Sequence, residues 1–533
     1  MIRLWTFLLA ALACTAQEPA AGSVRGSVRN SVTGEPLRKA EVTLRSVPAN
    51  VDTRPFAVET DASGQFHFPS VPTGSYLLTA RRIGFLPAEN VPRRQAPKAV
   101  TVAAGQEVDG VAIELIPNSV ISGRVTDEDG EAMFGATVTL LEQKFLRGRR
   151  VLYSRGSAAV NDLGEYRIPA LPAGRYLLVI TAAAEFGPSP IRVRTPGQES
   201  ARSYVPMYFP GVIDAASATV LELPPGQELR GIDVTLRRVP VVSVRGRAVD
   251  VSGNGIPNVN VLITSAEHAF ASSLVRNVAN AGADGSFLLT GIAAGPYAVI
   301  ATSVAREGPS SGVLNIQVGS RDLDDLLIRM LPPVRVAGSL KAGDVADLAK
   351  VRVVLDAMDT YSDLRSSDPA GQGNTFLVNN VPPGRYRVRA EGVPDGFYTR
   401  SVMWNGDDVT DKGLTLSTSA TAVEVTLARG ASTVKGKLSS ADGSPVPGGS
   451  VGLVPPDEKR EDWGLYKTAI VGVNGEFTIR NLPPGEYAVF GYRPGADLTA
   501  LQDPEYVRQV SAKATKLKVS EGQADTISVT TID

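Results

Sequence analysis

The stretch that decides the fold is Asn474-Gly475-Glu476-Phe477-Thr478-Ile479-Arg480-Asn481-Leu482-Pro483-Pro484-Gly485-Glu486-Tyr487. It reads as a Gly turn followed by an aromatic, then a strand, then a second turn and a Tyr that opens another strand. Gly supplies the positive φ that a tight turn needs after Pro, and alternating apolar positions mark half-buried strands. The second turn recurs as Pro72-Thr73-Gly74-Ser75-Tyr76, Pro172-Ala173-Gly174-Arg175-Tyr176, Ala293-Ala294-Gly295-Pro296-Tyr297 and Pro382-Pro383-Gly384-Arg385-Tyr386. Successive tyrosines, from Tyr76 to Tyr487, lie 100, 121, 89 and 101 residues apart. A period near 100 is that of a whole domain rather than a solenoid turn.

Other features keep the same register. The upstream aromatic returns as Gly64-Gln65-Phe66, Gly164-Glu165-Tyr166, Gly285-Ser286-Phe287 and Asn374-Thr375-Phe376. An opening strand carries an embedded glycine at Gly26, Gly123, Gly246, Gly338 and Gly436. A closing strand alternates Val111/Ile113/Leu115, Ile232/Val234/Leu236, Leu326/Ile328/Met330, Val423/Val425/Leu427 and Ile527/Val529. Leu323, Leu326, Leu327 and Met330 taken alone have helical spacing, but the register predicts a strand there. Short strands with frequent turns predict an all-β chain of five tandem antiparallel β-sandwich modules, prealbumin-like or Ig-like. Their expected bounds are 22–117, 118–240, 241–332, 333–430 and 431–533. The Tyr after each turn is expected to bury its ring and cap loop backbone with its hydroxyl, as in the tyrosine corner of sandwich domains.

Residues 1–16 read as a signal peptide. Arg3 gives the positive n-region, Leu4 to Ala13 the apolar run, and Ala11-Leu12-Ala13 or Cys14-Thr15-Ala16 the small-x-small cleavage site. Cys14 also resembles the lipid-acceptor Cys of bacterial lipoproteins, with Ala11 where that motif usually has Leu. Lipidation at Cys14 and removal of Cys14 with the signal both stay open. No later segment is apolar enough to span a bilayer. The expected location is exported: periplasmic, outer-surface or secreted.

Composition narrows the chemistry. The 533 residues include 52 Gly and 37 Pro, about one residue in six and so rich in turns. Lys and Arg number 54 against 55 Asp and Glu, which gives no electrostatic case for nucleic acid. One Cys and two His rule out a disulfide framework, a zinc site built only of Cys and His, and most His-based catalysis. His67 alternates with Phe66 and Phe68 and is expected to face outward; His268 has no nearby partner. Asp127-Glu128-Asp129-Gly130 lacks the spacing of a calcium loop and reads as a hairpin turn. No catalytic, metal or cofactor site is expected, and the chain reads as non-enzymatic.

The set of opening strand, Thr33-Gly34-Glu35-Pro36-Leu37-Arg38-Lys39-Ala40-Glu41-Val42, Asp61-Ala62-Ser63-Gly64-Gln65-Phe66 and Pro-x-Gly-x-Tyr resembles the carboxypeptidase regulatory-like domain. A second close copy is Asp442-Gly443-Ser444-Pro445-Val446-Pro447-Gly448-Gly449-Ser450-Val451. The resemblance implies a transthyretin-like sandwich grouped with carbohydrate-binding-like folds. Zinc carboxypeptidases pair this module with a His-x-x-Glu metal motif, and neither His67 nor His268 has Glu three residues on. Sugar binding would call on aromatic rings outside the repeat: Trp404, Trp463, Tyr204, Tyr208 and Phe209. The alternative use of these rings is closing module ends and joints. The expected partner is accordingly a polysaccharide or a surface protein, and the sequence sets no oligomeric state.

Overall fold

The computed structural model describes residues 21–47, 55–86, 98–146, 149–183, 201–265, 277–305, 308–343, 348–358, 365–368, 370–417, 419–472, 474–493, 496, 498–522 and 524–532. The signal segment with Cys14, and His268, lie outside the described residues. The chain divides into two compact units, one of residues 1–91 and 95–118 and the other of residues 92–94 and 119–533.

The first unit shows the plan. Strand Gly22–Asn30 pairs antiparallel with Gln65–Val71 on one side and parallel with Glu107–Leu115 on the other. A second sheet runs Phe56–Glu59, Glu41–Val47, Gly74–Arg81, Lys98–Val102, antiparallel throughout. The two sheets enclose Val24, Val28, Val42, Leu44, Phe66, Phe68, Tyr76 and Leu78.

The second unit repeats this sheet pair four times. The opening strands are Ser119–Thr126, Val242–Val249, Val334–Lys341 and Ser432–Ser439. Each pairs antiparallel with the strand that follows the aromatic turn and parallel with the closing strand. Each copy has its own apolar cluster. Leu323–Arg329 is a strand parallel to Val242–Val249, as the register predicts. Asp127 forms a turn, its Oδ1 accepting from the amides of Asp129 (3.0 Å) and Glu131 (2.9 Å).

The three features in register form one packing contact. The aromatic lies directly across from the opening-strand glycine: Phe66 from Gly26, Tyr166 from Gly123, Phe287 from Gly246, Phe376 from Gly338, Phe477 from Gly436. On the other side of the glycine stands a closing-strand carbonyl. A methyl added at Gly26, Gly246 or Gly338 would collide with both the aromatic ring and the carbonyl of Val111, Leu326 or Val423. In the second copy Tyr166 replaces Phe, and its hydroxyl donates to the Ile232 carbonyl at 2.7 Å, the group for which Gly123 makes room.

A bulge in the closing strand drives the carbonyl inward. The residue before it has left-handed φ: Gly110 (73°), Gly231 (70°), Asp325 (61°) and Ala422 (58°). In copies one, three and four the closing strand has one extra residue here relative to the opening strand. The fifth copy pairs without a shift, and there the Ile527 carbonyl stands 2.7 Å from an added methyl, farther than its counterparts.

The Tyr of the second turn buries its ring and donates to the carbonyl four residues back: Tyr76 to Pro72 (2.8 Å), Tyr176 to Pro172 (2.9 Å), Tyr386 to Pro382 (2.8 Å) and Tyr487 to Pro483 (3.0 Å). Tyr297, whose turn opens on Ala293, is half-buried.

Two substitutions in the fourth copy test this contact in opposite directions. Gly338→Ala forces a methyl against the Val423 carbonyl and is expected to destabilise the copy by about 2–3 kcal/mol. Ala422→Gly removes the left-handed strain on Ala, and after the added unfolded-state entropy a gain of about 0.5 kcal/mol remains. Urea unfolding followed by Trp404 fluorescence in a Trp463→Phe background reads both; equal stability of all three proteins would refute the account.

Candidate functional site

The aromatic residues outside the repeat fall in different places. Tyr204 ends the strand Arg202–Tyr204, which pairs with Arg238–Pro240 just before the third copy opens at Val242. Its ring is 7% exposed and lies under the Arg238 guanidinium, 5.1 Å from the ring centre. Beside it Val205, Val241 and Ala293 form a small apolar cluster. Ala293 belongs to the third copy's turn, so the Ala that stands there in place of Pro serves the joint between copies two and three.

Tyr208 is 5% exposed. With Ala215 and Val212 it covers Leu141, Leu177 and Val179 on the outer face of the second copy's larger sheet. Phe209 packs against the main core of that copy. Buried there, Tyr204 and Tyr208 offer no face to a ligand.

Trp404 ends the strand Phe397–Trp404 and packs, partly buried, on the fourth core. Trp463 opens a short turn, Trp463–Leu465, capped by the Asp462 carboxylate, which accepts from the Gly464 amide at 3.0 Å. The Trp463 ring lies 5.4 Å from that of Tyr466 at 31°. Both rings are half-buried, so this pair keeps partial access to solvent.

The Trp463 turn sits on the outer face of the fourth copy's sheet, with Gly464 against the Arg389 side chain. That face is charged and buried. Arg389 donates to Asp356 (2.5 Å) and Glu391 (2.6 Å), and Arg387, 7% exposed, donates to the Asp411 carbonyl at 2.9 Å. Arg387 Nε and Nη1 and Arg460 Nε are buried without a partner among the described residues. Burial pushes the Asp462 carboxyl up despite the pull of Arg387 and Arg389, and burial pushes the Lys467 ammonium down.

The joint between copies four and five is also bonded directly. Asn481 accepts from the Gly396 amide (2.9 Å) and donates to the Val393 carbonyl (3.5 Å). The Gly522 amide donates to the Gly430 carbonyl at 2.8 Å, and Arg480 pairs with Asp395 at 3.2 Å. The repeat reading passed over Asn481. Its φ of 54° is left-handed, as at Asn380 and Ala170, the same position in the fourth and second copies, so no local signal set Asn481 apart.

A groove of about 910 Å³ crosses the outer face of the third copy's smaller sheet, lined by Arg245, Arg247, Leu288, Thr290, Asp324 and Leu327 among others. Arg245 is held there by Asp322 (3.3 Å) and Asp324 (2.9 Å). His67 is exposed on its strand, opposite Arg25. Among the described residues no group of three His, Cys, Asp or Glu side chains could hold a metal, and no helix is long and apolar enough to cross a membrane.

With this geometry in view, residues 23–115 and 120–237 match the model of the carboxypeptidase regulatory-like domain. The chain carries carboxypeptidase regulatory-like domains in tandem. The Gly26–Phe66 and Gly123–Tyr166 contacts and the Tyr76 and Tyr176 caps lie inside these two regulatory-like domains. No curated protein matches the chain. Solved structures similar to it include the minor pilin GBS52 of Streptococcus agalactiae, at 14% identity over 41% of this chain and 97% of that one, TM-score 0.22. The major pilin subunit BcpA of Bacillus cereus shows 14% identity over 78% of this chain and 99% of that one, TM-score 0.16. The Bacillus anthracis TIE protein shows 10% identity over 76% and 72%, TM-score 0.15. At these TM-scores the likeness carries no inference about function.

Two outcomes follow from the joint between copies four and five. Asn481→Ala removes the side-chain bracket while leaving both cores intact. Hydrogen exchange at the Gly396 amide is expected to accelerate about tenfold or more, with protection in the Val423–Leu427 strand unchanged; an unaltered Gly396 rate would remove Asn481 from the joint. For Asp462 the folded carboxyl titrates above its unfolded value, so folding takes up a proton in the window between them. Stability of the wild type should therefore rise relative to Asp462→Asn as pH falls from about 7 to about 4. Asn keeps the cap acceptor, so a constant Tm difference over that range would contradict the assignment.

Proposed function

We propose that the protein is an exported, non-catalytic chain of five tandem β-sandwich modules, bounded at 22–117, 118–240, 241–332, 333–430 and 431–533, that serves as a surface or periplasmic spacer or adhesin toward a protein partner. The observation that carries this reading is the bonded joint at Asn481, where one side chain holds the Val393–Gly396 loop of the preceding copy by two hydrogen bonds. A spacer needs fixed joints, whereas a glycan binder needs exposed ring faces. Val205, Val241 and Ala293 pack together at the joint between copies two and three in the same sense. Export rests on residues 1–16, with Cys14 as the position for a lipid anchor if that residue is retained.

Carbohydrate binding is the second reading. What favours it is the half-buried Trp463–Tyr466 pair beside Arg387, Arg389 and Arg460. Stacking on a pyranose would use a ring face, and guanidinium groups would bond its hydroxyls. A panel of soluble neutral and acidic polysaccharides titrated against the full chain separates the two. The spacer reading expects unchanged Trp fluorescence; a saturable change that disappears in Trp463→Ala would replace it with glycan binding.

A further inference from the structure

The strands Thr137–Leu146 and Arg149–Ala159 of the second copy form a hairpin that outruns its sheet. The Tyr strand Gly174–Thr181 pairs with Thr137 to Glu142 only. From Gln143 to Leu146 the hairpin continues as an arm of two strands. Two strands without a sheet bury little, so an aromatic on such an arm should stand exposed. Phe145 is half-buried instead, as is Lys144.

The hairpin meets a copy that is not its neighbour in the chain. The strand Thr137–Leu146 lies against Leu498–Gln502, a short turn of the fifth copy between the strands Gly485–Tyr492 and Thr515–Val519. Leu501 seats that turn on its own sheet by filling the space over Gly452, where an added methyl would stand 2.2 Å from Leu501 Cδ1. Leu498, Thr499, Ala500 and Gln502 are half-buried as well, so no residue of the turn is exposed. Its own sheet covers one side, and the second copy's strand lies against the turn from outside that sheet.

The two segments carry opposite charge. Residues 144–155 contain Lys144, Arg147, Arg149, Arg150 and Arg155 and no acid. Residues 497–505 contain Asp497, Asp503 and Glu505 and no base. Arg155 pairs with Glu142, and Lys144 stands 3.8 Å from the same carboxylate, which leaves the arm with more cations than its own copy partners.

We propose that the arm is a latch, held by charge, that clasps the second copy to the fifth and opens as ionic strength rises. Both segments belong to one chain, so the effective concentration is high and a small contact is enough to close it. A small, charge-held contact is also one that salt can open, because screening weakens attraction between groups that water reaches. While the latch is closed, the joints between copies two and five cannot bend independently. The inference goes beyond the spacer reading and does not rest on it: the latch stands or falls whatever the chain binds.

Pulsed electron resonance between spin labels at Ser157→Cys and Gln509→Cys, both exposed positions, tests it in the full chain with Cys14→Ser. A single narrow distance distribution is expected at about 0.05 M NaCl, with a longer and broader component growing toward about 1 M. Arg149→Glu with Arg150→Glu should raise that component about fivefold or more at low salt, whereas Arg149→Lys with Arg150→Lys should keep the wild-type distribution. The arm lies beyond the pairing with Gly174–Thr181, so all variants are expected to keep the wild-type circular dichroism. A broad distribution in the wild type at low salt, or one that either salt or the two glutamates leave unchanged, overturns the proposal.

Discussion

An aromatic ring laid over a strand glycine, with a carbonyl pressed against the glycine's other side, holds the first, middle and last strands of each copy together. The opening strand lies between two neighbours in its sheet, so both must come close. A side chain at Gly26 or Gly338 would push the aromatic strand and the closing strand apart at once. The ring fills the space that a glycine leaves on a strand, and the strand gains back the packing it would otherwise lack. The closing-strand bulge sets how far the carbonyl enters. Where it is absent, at Ile527, the approach is looser.

Around this constant frame the copies differ in what they do with the outer face of the sheet that holds the Tyr strand. The chain between the Tyr strand and the next strand of its sheet varies in length from copy to copy. In the second and fifth copies that chain folds back and builds a second apolar layer, with Tyr208 and Leu501 at its centre. In the fourth, the outer face keeps charge and becomes the seat of the following copy. Burying Arg387, Arg389 and Asp462 together is costly unless every group is partnered, and Arg387 is only partly so. That joint therefore depends on the directed bonds of Asn481 and on the Gly522–Gly430 backbone bond for its definition.

Much of the fold was legible without coordinates. The Tyr period, the embedded glycines and the alternation in the closing strand all report on contacts inside one copy, and such contacts recur whenever the copy recurs. The register also settled Leu323–Arg329, where helical spacing of leucines competes with strand pairing, because the partner strand Val242–Val249 fixes its environment. What was not legible was the use of the rings outside the repeat. Tyr204, Tyr208 and Trp463 occur once each, so no register constrains them. An aromatic that buries against a neighbouring copy has the same local sequence as one that faces a ligand.

The sequence by itself determined the all-β class, the tandem order and the positions of the glycine, aromatic and Tyr contacts. Each of these depends on residues that meet within about a hundred positions, and repetition makes the pattern stand out. Only the tertiary structure decided that Ala293 is a joint residue and that Asn481 spans two copies. Those relations join strands whose mutual register, bulges and covering segments are set by packing, and alternation along a single strand cannot say which of its two faces the rest of the chain will cover.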